Sequence, residues 1–398
     1  MKAIFRAYLA GAIVVVAGTA AVANSPSAFS SDLGYRGSHD TGLSTPAQSV
    51  VVLKQKVPIP GLSAGAHFSY DIGYVDSGAG RYLLSDRTNS SVDVIDTTTN
   101  TLVKQVKGFS GDRKSSSSLS GPNGIVGIPA TSLAYVGDVG SVKIVDFVRG
   151  TVTKTIRIAG SHFRSDEGCY DRDDRIVMIS NGDERTPLTT WISTTSQRIV
   201  ASLKFVGAEG LEQCAYDPDS KNFYINNTGT RAHPLGEVDV IPATSVVERK
   251  PAISTVYATP GCPVSGMALG PNDKLLIGCA AEKGLPLTTL IVSASTGKVL
   301  KTITQVGGED QVAYDASNKR FYTASREMTT TGVGESGSQM PVLGVIDGAT
   351  LRWIENVPTG PNAHSVAVDS ITHNVFVPVS PTASAPGGVN VYGDRTRN

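Results

Sequence analysis

The stretch "YDIGYVDSGAGRYLLSDRTNSSVDVIDTTTNTLVKQV", from Tyr70 to Val106, decides the fold of this 398-residue chain. It contains four runs in which apolar and polar residues alternate, and turns rich in Gly, Asn, Ser and Thr separate the runs. Such alternation is typical of β-strands, because successive side chains of a strand point to opposite faces. The stretch therefore predicts one antiparallel sheet of four strands.

The same pattern returns along the chain. A later copy reads "DQVAYDASNKRFYTAS" from Asp310 to Ser325, and "PVLGVIDGATLRWIENV" closes it at Val357. Seven copies align on their first strands with a period of about fifty residues, which is the mark of a repeat architecture. In this alignment one column is polar in every copy, and we call its members the polar ring: Asp71, Asn123, Asp166, Glu212, Ser265, Asp310 and His364.

Seven such units predict an all-β fold, a seven-bladed β-propeller of four-stranded antiparallel blades that forms a single domain over residues 49–398. One four-stranded unit cannot bury both of its faces, whereas a radial array lets each sheet pack on its neighbours. The last copy lacks a fourth strand, and "SVVVLKQKVPIPG" (Ser49 to Gly61) resembles a fourth strand without partners. We therefore expect residues 49–60 to complete the last blade and to remove its exposed edge.

The N-terminus predicts export. Lys2 and Arg6 are followed by the apolar run "AYLAGAIVVVAGTAAVA", which indicates a signal peptide over residues 1–23 with cleavage after Ala23. The alternative is an uncleaved anchor helix, for which the apolar run is short. Residues 24–48 are rich in Ser, Gly and Pro and are expected to form a flexible arm. We expect a periplasmic or secreted protein with no stable membrane insertion after cleavage.

The charge balance and the four cysteines bear on two questions, whether the chain binds nucleic acid and whether it forms disulfides. The chain has 35 basic and 35 acidic residues, so no net charge favours binding to nucleic acid. Export permits disulfides. The alignment favours a Cys262–Cys279 pair, because the two residues flank neighbouring strands, and it leaves Cys169–Cys214 as a second pairing between consecutive repeats. Four buried free thiols are the alternative.

The stretch "NSSVDVIDTTTNTLVKQV", from Asn89 to Val106, resembles the repeat of YVTN-type (YncE-like) β-propellers. The resemblance covers nearly all of the chain after the signal peptide, and it implies the propeller fold. Related propellers include binding modules, lactonases and subunits of dehydrogenases, so the resemblance leaves the activity open.

The polar ring is the predicted site, since the first strands of a propeller line its central channel. Four carboxylates at the channel mouth would repel one another unless a cation, a raised pKa or water relieves them. With one imidazole they would suit a divalent cation such as Ca²⁺, and the ligands expected for it are Asp71, Asp166, Glu212, Asp310 and His364. The alternatives are a metal-free substrate site and a ring that only bonds loop backbone and channel water.

A second layer of candidates comes from the ends of the second strands and from two matched "HF" pairs in the loops. These residues are His67, His162, Asp86, Asp138, Asn181, Asn226, Asn227, Ser325 and Arg326.

Two classes of function follow. The first is an exported, monomeric propeller that binds a small molecule or a protein partner at its central funnel or loop face. The second is a metal-assisted hydrolase such as a lactonase, in which Asp310 or Glu212 acts as general base toward water. A subunit of a periplasmic electron-transfer enzyme is a third hypothesis, for which the chain carries no cofactor motif. No phosphate-binding loop of the GxxxxGK[ST] type occurs in the sequence.

Overall fold

The computed structural model describes residues 49–395. The predicted signal peptide (1–23) and arm (24–48) lie outside the described residues. Within the described residues the chain forms seven four-stranded antiparallel sheets, so the prediction of a seven-bladed β-propeller is confirmed. No helix in this part of the chain is both apolar enough and long enough to span a bilayer.

Each blade uses strands that follow one another in the chain, except that the first strand belongs to the last blade. The N-terminal strand is β1 (Val51–Val57). Blade 1 contains β2 (Tyr70–Asp76), β3 (Arg81–Asp86), β4 (Ser91–Asp96) and β5 (Thr101–Lys107). Blade 2 contains β6 (Ile125–Gly127), β7 (Leu133–Asp138), β8 (Ser141–Asp146) and β9 (Thr151–Arg157). Blade 3 contains β10 (Gly168–Asp171), β11 (Ile176–Asn181), β12 (Leu188–Ser193) and β13 (Arg198–Lys204).

The second half of the ring repeats this order. Blade 4 contains β14 (Leu211–Asp217), β15 (Asn222–Asn227), β16 (Glu237–Pro242) and β17 (Thr255–Ala258). Blade 5 contains β18 (Val264–Leu269), β19 (Lys274–Cys279), β20 (Thr289–Ser293) and β21 (Val299–Ile303). Blade 6 contains β22 (Val312–Asp315), β23 (Arg320–Ser325), β24 (Val342–Asp347) and β25 (Arg352–Pro358). Blade 7 contains β26 (Ala367–Val368), β27 (Val375–Val379) and β28 (Gly388–Asp394). The described helices are a 3₁₀ turn (Ser117–Leu119) and α1 (Ala243–Val247).

The first strand of each blade contacts the first strands of both neighbouring blades, and β26 contacts β2, so the circle closes. These seven strands surround the central channel. The apolar core lies between blades: Leu83 and Val92 of blade 1, for example, belong to one buried cluster with Val136 and Val145 of blade 2. Burial of such faces is the main stabilising contribution of the ring.

The ring is closed by β1, which pairs antiparallel with β28 from Val51 opposite Asp394 to Val57 opposite Val389. Val51 and Val57 are buried, whereas Leu53 in the same strand is 54% exposed. The predicted completion of the last blade by the N-terminal strand is therefore confirmed. It leaves no unpaired edge on β28.

The four cysteines form two disulfides. Cys169 of β10 is bonded to Cys214 of β14, which ties the first strands of blades 3 and 4 together. Cys262 precedes β18 and is bonded to Cys279 at the end of β19, within blade 5.

Candidate functional site

The polar ring lies where the first strands are irregular. In β2, β14 and β18 the pairing with the second strand is interrupted at Asp71, Glu212 and Ser265. In blade 3 the Asp166 N–H donates to the Ser180 carbonyl, and the Ser180 N–H donates to the next carbonyl, that of Glu167. Two residues then face one residue of the partner strand, which is the arrangement of a β-bulge. A bulge redirects side chains at the end of a strand, so both the ring residue and the residue after it can point toward the channel.

Arginines neutralise the carboxylates on one side of the ring. Arg87 follows β3, is buried, and pairs with Asp71 through Nη2 at 2.5 Å. The same guanidinium donates from Nε to Asn123 Oδ1 at 3.0 Å. Asn123 in turn donates to the Ser120 carbonyl at 3.1 Å. Arg87 therefore joins the ring residues of blades 1 and 2.

Arg164, in the loop before blade 3, contacts three carboxylates. It pairs with Asp166 at 2.8 Å and with Asp183 at 3.0 Å, and it lies 3.6 Å from Asp71. The loop before blade 3 packs against Gly124, which precedes β6 of blade 2. This contact requires a glycine, because a Cβ on Gly124 would lie 2.0 Å from the Asp166 carbonyl oxygen. Burial raises the pKa of Asp166 to about 7, although the charge of Arg164 opposes the shift.

On the opposite side of the ring, Asp310 pairs with Arg326 at 3.2 Å. The Ser265 hydroxyl donates to the Asp310 backbone carbonyl at 3.2 Å. Burial alone would raise the pKa of Asp310, but the positive charge of Arg326 outweighs burial and lowers this pKa. Asp310 is therefore an ionised carboxylate at neutral pH, with its side chain 23% exposed.

His364 completes the circle between Asp310 and Asp71. Its ring stacks on Tyr70 with a centroid distance of 4.3 Å, and Nδ1–H donates to the Asn362 carbonyl at 2.8 Å. Nε2 lies 4.0 Å from Asp71 Oδ1. Burial lowers the pKa of His364, so the imidazole is neutral at pH 7.

The side-chain carboxyl groups of two glutamates of the site have no hydrogen bond or ion pair within residues 49–395. Glu212 is half-buried, and Glu167 is buried. Burial, followed by the charge of Asp166, raises the pKa of each well above the usual range. The raised pKa favours the protonated form of each carboxyl group, which can donate a hydrogen bond.

Two glutamines tie blades together across the channel. Gln311 of blade 6 donates to the Gly73 carbonyl of blade 1 at 3.2 Å and accepts from the Ser365 hydroxyl of blade 7 at 2.6 Å. Gln213 of blade 4 accepts from the Met267 N–H of blade 5 at 2.8 Å and donates to the Val312 carbonyl of blade 6 at 3.3 Å. Each of these residues directly follows a ring residue. Sequence reasoning missed them, because strict strand alternation points this position away from the channel.

The metal hypothesis requires carboxylate oxygens that are free to bind a cation. In the ring, Asp71, Asp166 and Asp310 each pair with an arginine. Within the described residues no group of three or more His, Cys, Asp or Glu side chains is arranged to hold a metal ion. The arginines thus supply counter-charges to these three carboxylates, and the divalent-cation hypothesis stays a prediction.

The structure places Asp86, Asp138 and Asn181 beside the ring but not in it. Asp86 accepts from the Asn89 N–H at 2.8 Å, and Asp138 pairs with Lys143 at 2.7 Å. Asn181 donates to the Ser165 hydroxyl at 2.9 Å. These side chains fix the loops that carry the ring residues.

Most of the remaining second-layer candidates also lie outside the ring. Asn226 donates to the Ser265 carbonyl at 2.7 Å, and the Ser325 hydroxyl bonds that of Thr323 at 2.9 Å. His67 is exposed and lies 3.0 Å from Asp112, and His162 is exposed. Of these second-layer candidates within residues 49–395, only Arg326 forms an ion pair with the side chain of a ring residue.

Asn227 donates to Asp239 of β16 at 3.0 Å, and this pair gives a testable pH dependence. Asp239 is buried, which raises its pKa to about 6. Because the folded-state pKa lies above the unfolded one, its contribution to stability is present below the unfolded pKa and is lost as pH rises through about 6. We expect Asp239→Asn to remove this loss, on the order of 2 kcal/mol between pH 4.5 and 7.5.

The measurement is urea unfolding at both pH values. The matched control is Asp219→Asn on an exposed turn of the same blade, which should keep the wild-type difference between the two pH values. Equal pH dependence in Asp239→Asn and wild type would contradict the prediction.

Comparison with known proteins adds two solved structures. A chain of Kuenenia stuttgartiensis hydrazine synthase superposes with a TM-score of 0.60 at 15% sequence identity, over 82% of this chain and 94% of that one. A chain of the mitotic checkpoint complex superposes with a TM-score of 0.60 at 12% identity, over 92% of this chain and 99% of that one. These likenesses show the fold alone. No protein-family model matches the sequence, and no curated protein matches it.

Proposed function

We propose that the chain is an exported, YVTN-type β-propeller that binds a small polar molecule at the mouth of its central channel. The observation that carries this proposal is the solvent-facing guanidinium of Arg326. Its side chain is 36% exposed, and it contacts Asp310 at 3.2 Å and Glu327 at 3.8 Å. A guanidinium has five N–H donors in a planar fork, so donors remain for a ligand.

The neighbouring groups indicate the chemical class of the ligand. The planar donors of Arg326 suit a carboxylate. The carboxylates of Asp310 and Asp183 are 23% and 29% exposed, and they can accept from hydroxyl or ammonium groups. A small carboxylate that also carries hydroxyl or amino groups would satisfy both sets. A protein partner is the second form of the binding hypothesis, and an acidic side chain of that partner would use the same donors.

The test is thermal stability in the presence of gluconate, glutamate or citrate, with sorbitol as the uncharged control. A ligand that binds only the folded state raises the melting temperature by mass action. We expect at least one of the three carboxylates to raise it while sorbitol does not, and Arg326→Met to abolish the shift. Arg352→Met, on the exposed outer strand β25, is the matched control and should keep it. No shift with any carboxylate, or an equal shift in Arg326→Met, would overturn the proposal.

A second candidate is hydrolysis of a lactone or related ester. It is favoured by Asp310 and Glu212, two carboxyl groups of one ring whose environments shift their pKa values in opposite directions, the first downward and the second upward. Such a pair supplies a base for water and an acid for the leaving oxygen. The positive charge next to the reacting carbonyl would come from Arg326.

This candidate is tested by following δ-valerolactone hydrolysis at constant pH, with EDTA in one series and Ca²⁺ in another. We expect hydrolysis in both series and a loss of about a hundredfold in Glu212→Gln and in Asp310→Asn. Hydrolysis only with Ca²⁺ would favour the metal-assisted form. A wild-type rate equal to buffer in both series would remove the hydrolase candidate and leave the binding proposal untouched.

A further inference from the structure

A cavity lies beside the C-terminal ends of three first strands, away from the polar ring. It has a volume of about 270 Å³ and is lined by residues from the first strands of blades 1, 2 and 3. Arg172, which also lines it, sits in the turn after β10, and this turn is at the opposite end of the strand from Asp166. The cavity is therefore separate from the polar ring.

The cavity has a structural origin in blade 2. Strand β6 contains only three residues, and Gly127 at its end lies directly against the Tyr74 ring. A Cβ on Gly127 would lie 2.3 Å from Cε1 of Tyr74, so the glycine allows the Tyr74 ring to pack against the backbone of blade 2. Tyr170 packs against the apolar cluster between blades 2 and 3. One tyrosine thus comes from each blade that flanks blade 2.

The hydrogen bonds of Gln213 and Gln311 connect other blades and do not cross blades 2 and 3, which flank the cavity. Gln213 connects blades 4, 5 and 6, and Gln311 connects blades 6, 7 and 1. At the corresponding position of blade 3 stands Glu167, which forms no such bridge within residues 49–395. The cavity lies in the sector of the ring that these side-chain bridges do not cross.

The lining combines apolar walls with unused polar groups. Val126 and Pro129 contribute apolar surface, and Tyr74 and Tyr170 contribute aromatic faces. Within the described part of the chain, neither phenol hydroxyl has a hydrogen-bond partner, and the Arg172 guanidinium has no ion pair. A ligand pocket with mainly apolar walls and a few convergent polar groups is the usual form of a small-molecule site.

We propose that this cavity binds a small aromatic carboxylate. A cavity of about 150 Å³ accepts benzene, so about 270 Å³ has room for one substituted ring. The ring would pack against Val126, Pro129 and the tyrosine faces, and the carboxylate would accept hydrogen bonds from Arg172. This site is independent of the function proposed for the polar ring.

The experiment is ¹⁹F NMR of 4-fluorobenzoate and of the neutral 4-fluorobenzyl alcohol, each titrated with the protein. We expect the acid to bind with a dissociation constant of about 1 mM or lower. It should bind about tenfold more tightly than the alcohol, because only the acid can form a charge-assisted hydrogen bond with Arg172. Arg172→Gln should abolish this preference, and Tyr74→Ala should weaken both ligands.

Arg175→Gln is the matched control, because Arg175 lies in the same turn but does not line the cavity. Arg326→Met, in the polar ring, should also bind 4-fluorobenzoate like wild type, which separates this site from the ring. Circular dichroism melting checks that each variant is folded. The proposal is overturned if 4-fluorobenzoate does not bind the wild-type protein, or if folded Arg172→Gln keeps the preference for the acid.

Discussion

Deleting β1 is expected to abolish the cooperative unfolding of the propeller. The strand supplies the outer edge of blade 7, and Val51 and Val57 are 1% and 0% exposed. Its loss would leave β28 as an unpaired edge and expose apolar surface of blade 7. Because a propeller gains stability from closure, the effect should extend to all seven blades and not remain local.

A pair of point substitutions tests the same closure without shortening the chain. Val57→Asp places a carboxylate at a fully buried position of β1, whereas Leu53→Asp places one at a position that is 54% exposed. We expect the first to cost about 4 kcal/mol or more and the second less than about 1 kcal/mol. Chemical unfolding measures both. Equal stability of the two variants would contradict a closing role for β1.

Replacing Arg164 by Met is expected to be the most damaging single change among the arginines that contact the polar ring. Arg164 pairs with Asp166 at 2.8 Å and with Asp183 at 3.0 Å, and Asp166 is buried. Breaking a buried pair leaves a carboxylate without its counter-charge, which costs about 3–5 kcal/mol. The loss should be smaller at pH 5 than at pH 8, because Asp166, whose pKa is raised to about 7, is then protonated.

Two further variants make this result specific. Adding Asp166→Asn to Arg164→Met should restore part of the lost stability at pH 8, because it removes the buried carboxylate that has lost its counter-charge. Arg149→Met is the matched control: Arg149 is 80% exposed and lies 3.6 Å from Asp146, so its loss should change stability by less than about 1 kcal/mol. A loss that is the same at both pH values, with no rescue by Asp166→Asn, would show that Arg164 acts by packing alone.

The repeat predicted the blades and the closure because both depend on strand alternation and on the count of strands. The ring column was also found this way, since residues at equal positions of equal blades lie at equal positions around the axis. Gln213, Gln311 and Glu167 were not predicted. They point toward the channel because of the bulges, and a bulge changes side-chain direction without a clear change in composition.

The arginines show a different limit. Arg326 was a candidate from the sequence, whereas Arg87 was not. Both stand one residue after the end of the second strand, so extending the alignment by one column would have added Arg87. Arg164 belongs to a loop whose length differs between blades, and no alignment column contains it. The sequence therefore predicted a crowd of carboxylates and left a cation, a raised pKa or water as their relief. The structure adds arginines from three loops, which pair with Asp71, Asp166 and Asp310.

The pairing of β1 with β28 also sets the order in which the molecule can be built. Arg395 donates to the Ser49 carbonyl at 3.0 Å, across 346 residues of sequence. Blade 7 thus cannot be completed until the final strand has been synthesised, however early the first six blades form. Contacts so distant in sequence form slowly. For a chain that crosses a membrane before it folds, this arrangement would postpone closure until the whole polypeptide has been delivered.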